Sequence, residues 1–330
     1  MPKFVVLDTW HLPGARYEIE KDMLEEAGFE VVIGSYHTDD EVVEAAKDAD
    51  AIGLIYHQMT PELLDRLPKC KVLVRYGIGY DSINVEAASE RGIVVCNLPD
   101  YCQVDVATHT IALLLDTCRK ITYLDRHVRT GGWDGTAGYK IHRIENLVIG
   151  LFGFGSIART MVKLLAGFNP TIIAYDPYAP DSLFEEFGVK RVTMDELWAQ
   201  SDVISVHTPL TPETKFAINK DTIAKMKDGV IILNTARGPI IKLDDLLEGL
   251  KSGKVVAAGL DVVETEPIKD PNAELYKYDT LIVNPHSAFN SVEAEYDQHA
   301  KVAQSAIDVV VKKIIPYNAV NKKAVTKVKE

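Results

Sequence analysis

The chain lacks the features that mark disulfide-rich and metal-centred proteins. Only four cysteines occur in 330 residues. Cys70, Cys96, Cys102 and Cys118 form neither a Cys-x-x-Cys pair nor the spacing of a metal site. This usage predicts buried thiols in a reducing compartment and no metal centre.

Long hydrophobic runs and an excess of positive charge are also missing. The longest apolar runs have the length of a strand, which excludes a transmembrane helix, and residues 1–8 resemble a first β-strand rather than a signal peptide. Lys and Arg number 36 against 48 Asp and Glu, for a formal net charge of −12. That balance argues against nucleic acid or an anionic membrane surface as a partner. The lysines of the last twenty or so residues are interpreted as a solvated helix end, and a cytoplasmic location is expected.

Strand-like and helix-like patterns alternate along the chain, which predicts an α/β fold. The length suggests about two domains, and we expect two doubly wound parallel-sheet domains of Rossmann or flavodoxin type with a cleft between them. Strands are predicted at Phe4–Leu7, Val31–Ile33, Ala51–Ile55, Val72–Val74, Ile93–Val95, Leu147–Phe152, Thr171–Tyr175, Val203–Val206, Val230–Leu233, Val255–Gly259 and Leu281–Val283. Helices are predicted at Glu18–Ala27, Val85–Glu90, Val106–Arg119 and Val292–Ile314, with Gly28 and Gly92 as two of their stops.

A glycine turn follows the strand that ends at Phe152. Gly153 permits a tight turn, Gly155 lets a pyrophosphate approach the backbone, and Ala158 is small enough for the next helix to pack on the strand. The acid Asp176 ends the following strand, about 20 residues on, where dinucleotide-binding folds place the group that binds the ribose hydroxyls. The alternative is an ordinary βαβ unit with a glycine turn.

The same acid bears on the choice of cofactor. A carboxylate at Asp176 repels a 2′-phosphate, and the next residues, Pro177 and Tyr178, supply no arginine to offset it. The sequence therefore favours NAD over NADP.

The position of the turn, about 150 residues into the chain, suggests the domain order. We expect residues 1–101 and 298–330 to form a substrate-binding domain and residues 102–297 to form an NAD-binding domain inserted within it. A cleft between two such domains is a usual place for a small-molecule site.

Three short motifs, each with at least one charged or titratable residue, follow predicted strands of the second domain. Arg237 lies in Asn-Thr-Ala-Arg-Gly, Glu266 in a segment that begins at Asp261, and His286 in Asn-Pro-His-Ser. The carboxyl ends of parallel strands line one crevice. An arginine can bind a carboxylate in a fork, a histidine can deliver a proton, and a carboxylate can orient the imidazole and stabilise its charged form. This is a workable set for reducing a 2-oxo acid.

Spacing alone leaves structural alternatives open for each of these positions. Arg237 could pair with a core acid, Glu266 could be a surface residue before a turn, and His286 could be a core histidine. Tyr101 and Trp133 are interpreted either as substrate-facing or as core aromatics. Histidines without a motif, including His109, are interpreted as structural.

With these motifs in order from about Val72 to Ser291, the chain resembles the D-isomer-specific 2-hydroxyacid dehydrogenases. The resemblance implies catalytic roles for Arg237, Glu266 and His286, and a place for Asp261 near the nicotinamide. It also implies a substrate-carboxylate loop that includes Arg75, in which the N–H groups of Gly77, Ile78 and Gly79 bind the acid. Further cofactor contacts are implied at Ser156, Ile157, Thr208, Pro209, Thr214, Thr235, Ala236, Arg237, Asp261 and His286.

Within that family, the segments around Arg75 and residues 95–99 are most similar to the branch of the C-terminal-binding proteins, although Phe289 stands where that branch has a tryptophan. We therefore expect an NAD-dependent D-2-hydroxyacid dehydrogenase that acts on a small 2-oxo or 2-hydroxy acid and forms a homodimer through its NAD domain. One alternative is an NADH-sensing corepressor or protein-binding module with little or no catalysis. A formate- or phosphite-type dehydrogenase is another.

Overall fold

A computed structural model describes residues 1–11 and 14–329. They divide into two units: Met1–Tyr101 with the segment from Asn290 onwards, and Cys102–Phe289. The second break thus lies eight residues before the predicted 297/298 boundary. The reason is that one continuous helix runs from Val292 to Val310 and packs on elements of the first unit, so no boundary falls inside it.

Twelve strands occur among the described residues. They are β1 Lys3–Val6, β2 Glu30–Ile33, β3 Ala51–Leu54, β4 Val72–Arg75, β5 Val94–Cys96, β6 Val148–Phe152, β7 Thr171–Tyr175, β8 Lys190–Arg191, β9 Val203–Val206, β10 Val230–Asn234, β11 Val255–Leu260 and β12 Leu281–Val283. The sequence patterns predicted all of them, within a residue or so at each end, except β8. That strand is two charged, exposed residues long and carries no apolar pattern.

Twelve α-helices lie among the same residues. They are α1 Glu18–Glu26, α2 Asp39–Ala46, α3 Pro61–Asp65, α4 Val85–Glu90, α5 Gln103–Arg119, α6 Ile121–Arg129, α7 Ser156–Leu165, α8 Asp181–Phe187, α9 Met194–Gln200, α10 Lys220–Lys225, α11 Leu243–Ser252 and α12 Val292–Val310. Gly28 and Gly92 follow α1 and α4 with φ of +87° and +68°, which confirms them as helix stops because only glycine adopts that conformation without strain.

Both sheets are parallel, and their strand orders confirm the predicted fold class. The first unit has five strands in the order β2-β1-β3-β4-β5, and the second has seven in the order β12-β11-β10-β9-β6-β7-β8. These are the flavodoxin-like order and the dinucleotide-binding order extended by one strand. In the second unit the order reverses between β6 and β9. Ligands of open parallel sheets bind outside the carboxyl ends of the strands at such a point.

Apolar side chains cover both faces of the seven-stranded sheet. Strand β9 is buried at every residue, as expected for a central parallel strand. On one face the fully buried Trp198 packs edge-on against Phe152, with ring centroids 5.3 Å apart. On the other face α5 packs against α7. This rigid layer holds the strand ends, and hence the candidate site, in place.

The four cysteines are free thiols and all are buried, as predicted. Burial raises the pKa of Cys118 to about 12, so that thiol stays protonated and unreactive near neutral pH. Within the described residues, no helix has both the length and the apolarity that crossing a membrane requires.

Candidate functional site

The glycine turn connects β6 to α7 with the geometry that its sequence predicts. Gly153 has φ of +100°, and a Cβ added there would lie 2.7 Å from the backbone nitrogen of Thr208. Gly155 differs, because a Cβ added to it would meet no described atom within 4 Å. Gly153 therefore serves the close approach of two strand ends, while Gly155 faces open space in front of the α7 N-terminus. Ser156 and Ile157 form the first turn of α7.

Asp176 lies directly beside this turn. Its Oδ2 accepts a hydrogen bond from the N–H of Phe154 at 2.8 Å, and its Oδ1 accepts from Tyr178 and Ala179 at 2.9 and 3.1 Å. The carboxylate is therefore held by three backbone donors and keeps lone pairs for a ribose hydroxyl.

Although Pro177 and Tyr178 supply no arginine, the fold places an arginine beside Asp176. Arg191 on β8 donates from Nη2 to the backbone oxygen of Asp176 at 3.0 Å. Strand β8 pairs with β7, and this pairing brings residue 191 beside residue 176. The sequence around Asp176 carries no sign of it.

The segment after β9 forms the other wall of the turn. The Thr214 hydroxyl donates to the carbonyl oxygen of Pro209 and accepts from the N–H of Thr211, both at 2.7 Å. Its side chain therefore shapes the loop that presents Thr208 and Pro209. Just before them, His207 Nε2 lies 2.8 Å from Ser205 Oγ, and burial lowers the pKa of the His207 imidazole to about 4.

Arg237 follows β10 in a loop that Asn234 organises. The Asn234 side chain donates to the Arg237 carbonyl oxygen and accepts from the Ala236 N–H, both at 2.9 Å. A Cβ added to Gly238 would lie 1.8 Å from the carbonyl oxygen of Val263. Only glycine allows this contact, which presses the arginine loop against the loop that follows β11.

Thr235, in the same loop, is tied to α5. Its Oγ1 lies 2.8 Å from Thr110 Oγ1. Thr110 donates its own proton to the Val106 carbonyl oxygen at 2.7 Å, so Thr235 is the donor to Thr110. The implied cofactor contact at this position therefore falls to the backbone of Thr235 and Ala236 or to a hydroxyl lone pair.

Asp261, which directly follows β11, is 1% exposed. Its carboxylate accepts from the N–H groups of Ser287 and Ala288, each at 2.9 Å, and its carbonyl oxygen accepts from the His286 N–H at 2.8 Å. Asp261 thereby sets the turn after β12 and holds His286 at φ of +54°. A left-handed conformation is uncommon for a non-glycine residue and is often found where strain serves a site.

Glu266 and His286 are in direct contact. His286 Nδ1 lies 2.7 Å from Glu266 Oε2, and Glu266 Oε1 accepts from the Val263 N–H at 2.9 Å. Their side chains are 31% and 22% exposed. A carboxylate at Nδ1 fixes that nitrogen as the donor to Glu266 and makes Nε2 the ring atom available for proton exchange.

The sequence analysis interpreted His109 as structural, and the structure shows which groups it contacts. His109 on α5 has Nε2 3.2 Å from Asn284 Oδ1 and 3.6 Å from Asp261 Oδ1. It therefore belongs to the polar cluster at the ends of β11 and β12. No local signal could have found it, because its partners lie about 150 to 175 residues away in sequence.

The loop after β4 lies in the first unit. Arg75 is 7% exposed and donates to the carbonyl oxygens of Ile55 and Tyr76 at 3.2 and 2.9 Å. A Cβ on Gly77 would lie 1.7 Å from Arg75 Nη1, so glycine makes room for the guanidinium. The Gly77 N–H donates to the Arg75 carbonyl oxygen at 2.8 Å. The carboxylate contact predicted for Gly77, Ile78 and Gly79 stays a prediction.

The second unit fits a dinucleotide. The space at Gly155 is the gap that a pyrophosphate needs. The ten-residue α7 directs its N-terminal N–H groups and positive dipole end toward that space. Asp176 lies beside it. No group of three or more possible metal-ligand side chains was found among the described residues.

Comparison with known proteins agrees with this geometry. Residues 111–288 match the family model described as "D-isomer specific 2-hydroxyacid dehydrogenase, NAD binding domain", which identifies NAD as the cofactor. A D-3-phosphoglycerate dehydrogenase of Methanocaldococcus jannaschii is 37% identical over 317 residues, 96% of this chain. The chain spans 58% of that relative's length.

A hydroxypyruvate reductase of Blautia hydrogenotrophica is 38% identical over 303 residues, which cover 88% of this chain and 92% of the relative. Among solved structures, a D-lactate dehydrogenase of Treponema pallidum aligns with a TM-score of 0.74 at 28% identity and covers 95% of this chain and 98% of its own. The chain therefore belongs to the family of D-isomer-specific 2-hydroxyacid dehydrogenases.

Proposed function

We propose that this protein is an NAD-dependent D-2-hydroxyacid dehydrogenase that works mainly as a reductase of 2-oxo acids. The observation that carries the proposal is the 2.7 Å contact between His286 Nδ1 and Glu266 Oε2. Glu266 accepts a hydrogen bond from the Val263 N–H, and the Val263 carbonyl oxygen packs against Gly238, the residue after Arg237. An imidazole, a carboxylate and a guanidinium thus come from three neighbouring strand ends of the NAD-binding unit.

Bound NADH supplies a hydride from C4 of its nicotinamide ring, which forms the new C–H bond at C2 of the substrate. His286 gives its Nε2 proton to the carbonyl oxygen, so that the C=O π bond is replaced by one C–H and one O–H bond. Glu266 accepts the Nδ1 proton of His286 and so stabilises the charged imidazolium, whose second proton, at Nε2, is the one that is transferred. In the reverse direction the neutral His286 takes the hydroxyl proton.

Arg237 binds the substrate carboxylate and polarises its carbonyl oxygen. A guanidinium can meet two oxygens at once in a fixed fork. Its orientation is set locally, because Nη1 donates to the Ala236 carbonyl oxygen at 2.8 Å and the loop carbonyl is held by Asn234.

The first unit contributes substrate binding. The buried Arg75 packs against its loop after β4. In the same loop, the Ile78 carbonyl oxygen accepts from Asn97 Nδ2 at 2.7 Å, and this hydrogen bond orients the backbone donors at Ile78 and Gly79. We assign the substrate carboxylate to these donors and the substrate-binding role to the unit that contains Met1–Tyr101.

A panel of 2-oxo acids tests the proposal. Hydroxypyruvate comes first because one relative is named hydroxypyruvate reductase, followed by glyoxylate, pyruvate, and branched and thioether oxo acids. NADH oxidation at 340 nm with at least one of them is the expected result. No oxidation with any of them, by a folded protein that binds NADH, would overturn the proposal.

The His286→Ala variant tests the proton donor. We expect kcat to fall by roughly 10²- to 10⁴-fold, the usual contribution of general acid–base catalysis, while NADH binding persists. His142→Ala is the matched control, since His142 is an exposed histidine of the same unit and its loss should leave kcat unchanged. Near-parental turnover in His286→Ala would remove His286 from the mechanism.

We also propose that the protein forms a homodimer through the NAD-binding unit. Helix α6 buries none of its own residues, and Ile121, Val128 and the nearby Trp133 are 60%, 48% and 91% exposed. Exposed apolar side chains in one region mark interaction surfaces. Trp133 is therefore not a core aromatic.

Light scattering at micromolar concentration should give twice the 36.6 kDa chain mass, and Trp133→Ser should weaken the dimer. A monomeric parent protein would contradict this.

A further inference from the structure

Asp176, Arg191 and Asp181 lie close together beside the glycine turn. Arg191, on the edge strand β8, donates from Nη2 to the Asp176 carbonyl oxygen at 3.0 Å. Its Nη1 is hydrogen-bonded to the carboxylate of Asp181, the first residue of α8. Its guanidinium carbon lies 5.2 Å from the centre of the Phe184 ring. The arginine thus extends from the edge of the sheet to the backbone of the ribose-binding acid.

This arrangement contains both of the devices that proteins use to choose between NAD and NADP. An acid at the end of the second strand binds the ribose hydroxyls of NAD, whereas an arginine nearby accommodates the 2′-phosphate of NADP. Asp176 is the acid, and three backbone N–H groups prevent it from turning away. Arg191 is an arginine at the same place. The preference for NAD therefore needs a reason why Arg191 does not bind a phosphate.

Asp181 supplies that reason. We propose that Asp181 is a second determinant of cofactor choice. Its carboxylate pairs with the guanidinium of Arg191, which would otherwise be able to bind a 2′-phosphate. The inference rests on the proposed contact between Asp176 and the ribose. It extends the proposed function by naming the groups, Asp181 and Arg191, that would have to change for the site to accept the phosphorylated cofactor.

The ion pair can be broken without harm to the fold. The side chains of Arg191 and Asp181 are 39% and 77% exposed, and exposed ion pairs contribute about 0–1 kcal/mol to stability. Arginine binds phosphate through two parallel hydrogen bonds. Neutralising Asp181 removes a competitor for those donors as well as a negative charge that would repel the ligand.

The experiment measures binding of adenosine 2′,5′-bisphosphate by calorimetry at a fixed ionic strength near 0.15 M. Asp176→Ser removes the first carboxylate in every variant. We compare Asp176→Ser/Asp181→Asn with Asp176→Ser/Glu186→Gln, in which an exposed carboxylate of the same helix is neutralised instead. The third variant adds Arg191→Met to the Asp181→Asn background. Thermal melting of each variant verifies folding.

We expect Asp176→Ser/Asp181→Asn to bind the bisphosphate at least about 10-fold more tightly than the Glu186→Gln control, as a charge-assisted fork allows, and Arg191→Met to abolish that gain. Equal affinity in the Asp181→Asn and Glu186→Gln variants would overturn the inference, as would a gain that survives Arg191→Met. NADH binding by the parent protein separates the two proposals. A parent protein that does not bind NADH would overturn the proposed function. Normal NADH binding without the Arg191-dependent gain in bisphosphate affinity would overturn this inference alone.

Discussion

Buried or half-buried carboxylates of this protein accept backbone N–H groups at the ends of strands. Asp8 accepts from Ile55, Tyr56 and His57 at 2.6–2.9 Å, and Asp176 and Asp261 hold the loops after β6 and β12 in the same way. Chain segments that leave a sheet have N–H groups without a ladder partner, and a carboxylate can accept several of them. The loops that carry candidate ligands are thus positioned by single side chains.

Arg237→Lys should be costly although it preserves the charge. A lysine is a point charge without the planar fork, and it cannot reproduce the Nη1 hydrogen bond to the Ala236 carbonyl oxygen while it binds substrate. We expect kcat/KM for the best 2-oxo acid to fall by roughly 10²-fold or more. Steady-state kinetics with NADH measures it, with the exposed Arg143→Lys as the control. An unchanged kcat/KM would exclude the fork.

His207 should make the stability of the protein depend on pH. Burial lowers its pKa from 6.5 to about 4 in the folded state, so between these values the unfolded chain binds a proton that the folded chain does not. The free energy of unfolding therefore falls as the pH drops from about 6.5 toward 4.

The contribution of His207 between pH 7 and pH 5 is about 2 kcal/mol. Urea unfolding of the parent and of His207→Gln at both pH values measures it. The parent should lose about that much more than the variant over this interval. Parallel losses in the two proteins would show that His207 is protonated in the folded state.

At the scale of elements, the β6–α7 turn contains two glycines, two residues apart in one motif, that are glycine for different physical reasons. Gly153 meets the backbone of the neighbouring strand end and has positive φ, whereas Gly155 borders open space. The fold therefore requires the first glycine, and we propose that the cofactor requires the second. The motif predicts these two roles from the order of its glycines, and the structure adds the close contact at Gly153 and the open space at Gly155.

Substituting each glycine with alanine separates the two roles. Gly153→Ala should lower the free energy of unfolding by about 2–4 kcal/mol, because the added Cβ would lie 2.7 Å from a backbone nitrogen in a strained conformation. Gly155→Ala should leave stability within about 0.5 kcal/mol and raise the Kd for NADH about 10-fold or more, since the methyl group enters the pyrophosphate space.

Chemical denaturation and NADH titration of the two variants provide the measurements. The reverse pattern, a destabilised Gly155→Ala variant that binds NADH normally, would contradict the assignment of open space at Gly155 to the cofactor.

At the scale of the whole molecule, the chain is built from two parallel sheets, each with its own core, and the first unit carries a buried polar cluster within that core. Glu20 and His299 are both 0% exposed, with Glu20 Oε2 2.5 Å from His299 Nδ1. The Tyr76 hydroxyl donates to Glu20 Oε1 at 2.7 Å, and burial raises the pKa of Tyr76 well above 10. These contacts connect α1, α12 and the end of β4, and so join the two ends of the chain in one unit.

Glu20→Ala should therefore destabilise the first unit strongly. Removing one partner of a buried charged or hydrogen-bonded pair costs about 3–5 kcal/mol, since the His299 ring and the Tyr76 hydroxyl would lose their carboxylate. Glu20→Gln, which keeps an acceptor for Tyr76, should cost less. Thermal melting of the two variants tests this order, and an alanine variant as stable as the parent would show that the cluster contributes nothing.

The sequence by itself determined the fold class, all the strands except β8, and most of the residues of the proposed site. Apolar strand runs that alternate with helical patterns suffice for the fold class, because burial on both faces of a parallel sheet requires continuous hydrophobic strands. The glycine turn, Asp176 and the three strand-end motifs are each local in sequence, so their residues could be named in advance. The roles of Arg237, Glu266 and His286 came from resemblance and remain proposals.

Only the tertiary structure decided which distant groups meet. Strand β8 brings Arg191 to Asp176, helix α5 brings His109 to Asp261 and Thr110 to Thr235, and the Arg75 guanidinium fills the space that Gly77 leaves. Because helix α12 is continuous, the break between the two units lies at 289/290 rather than at the predicted 297/298. These contacts join residues between two and about 150 positions apart, and they depend on strand order and helix packing. A periodic pattern records which face of an element is buried, but not the partner that covers it.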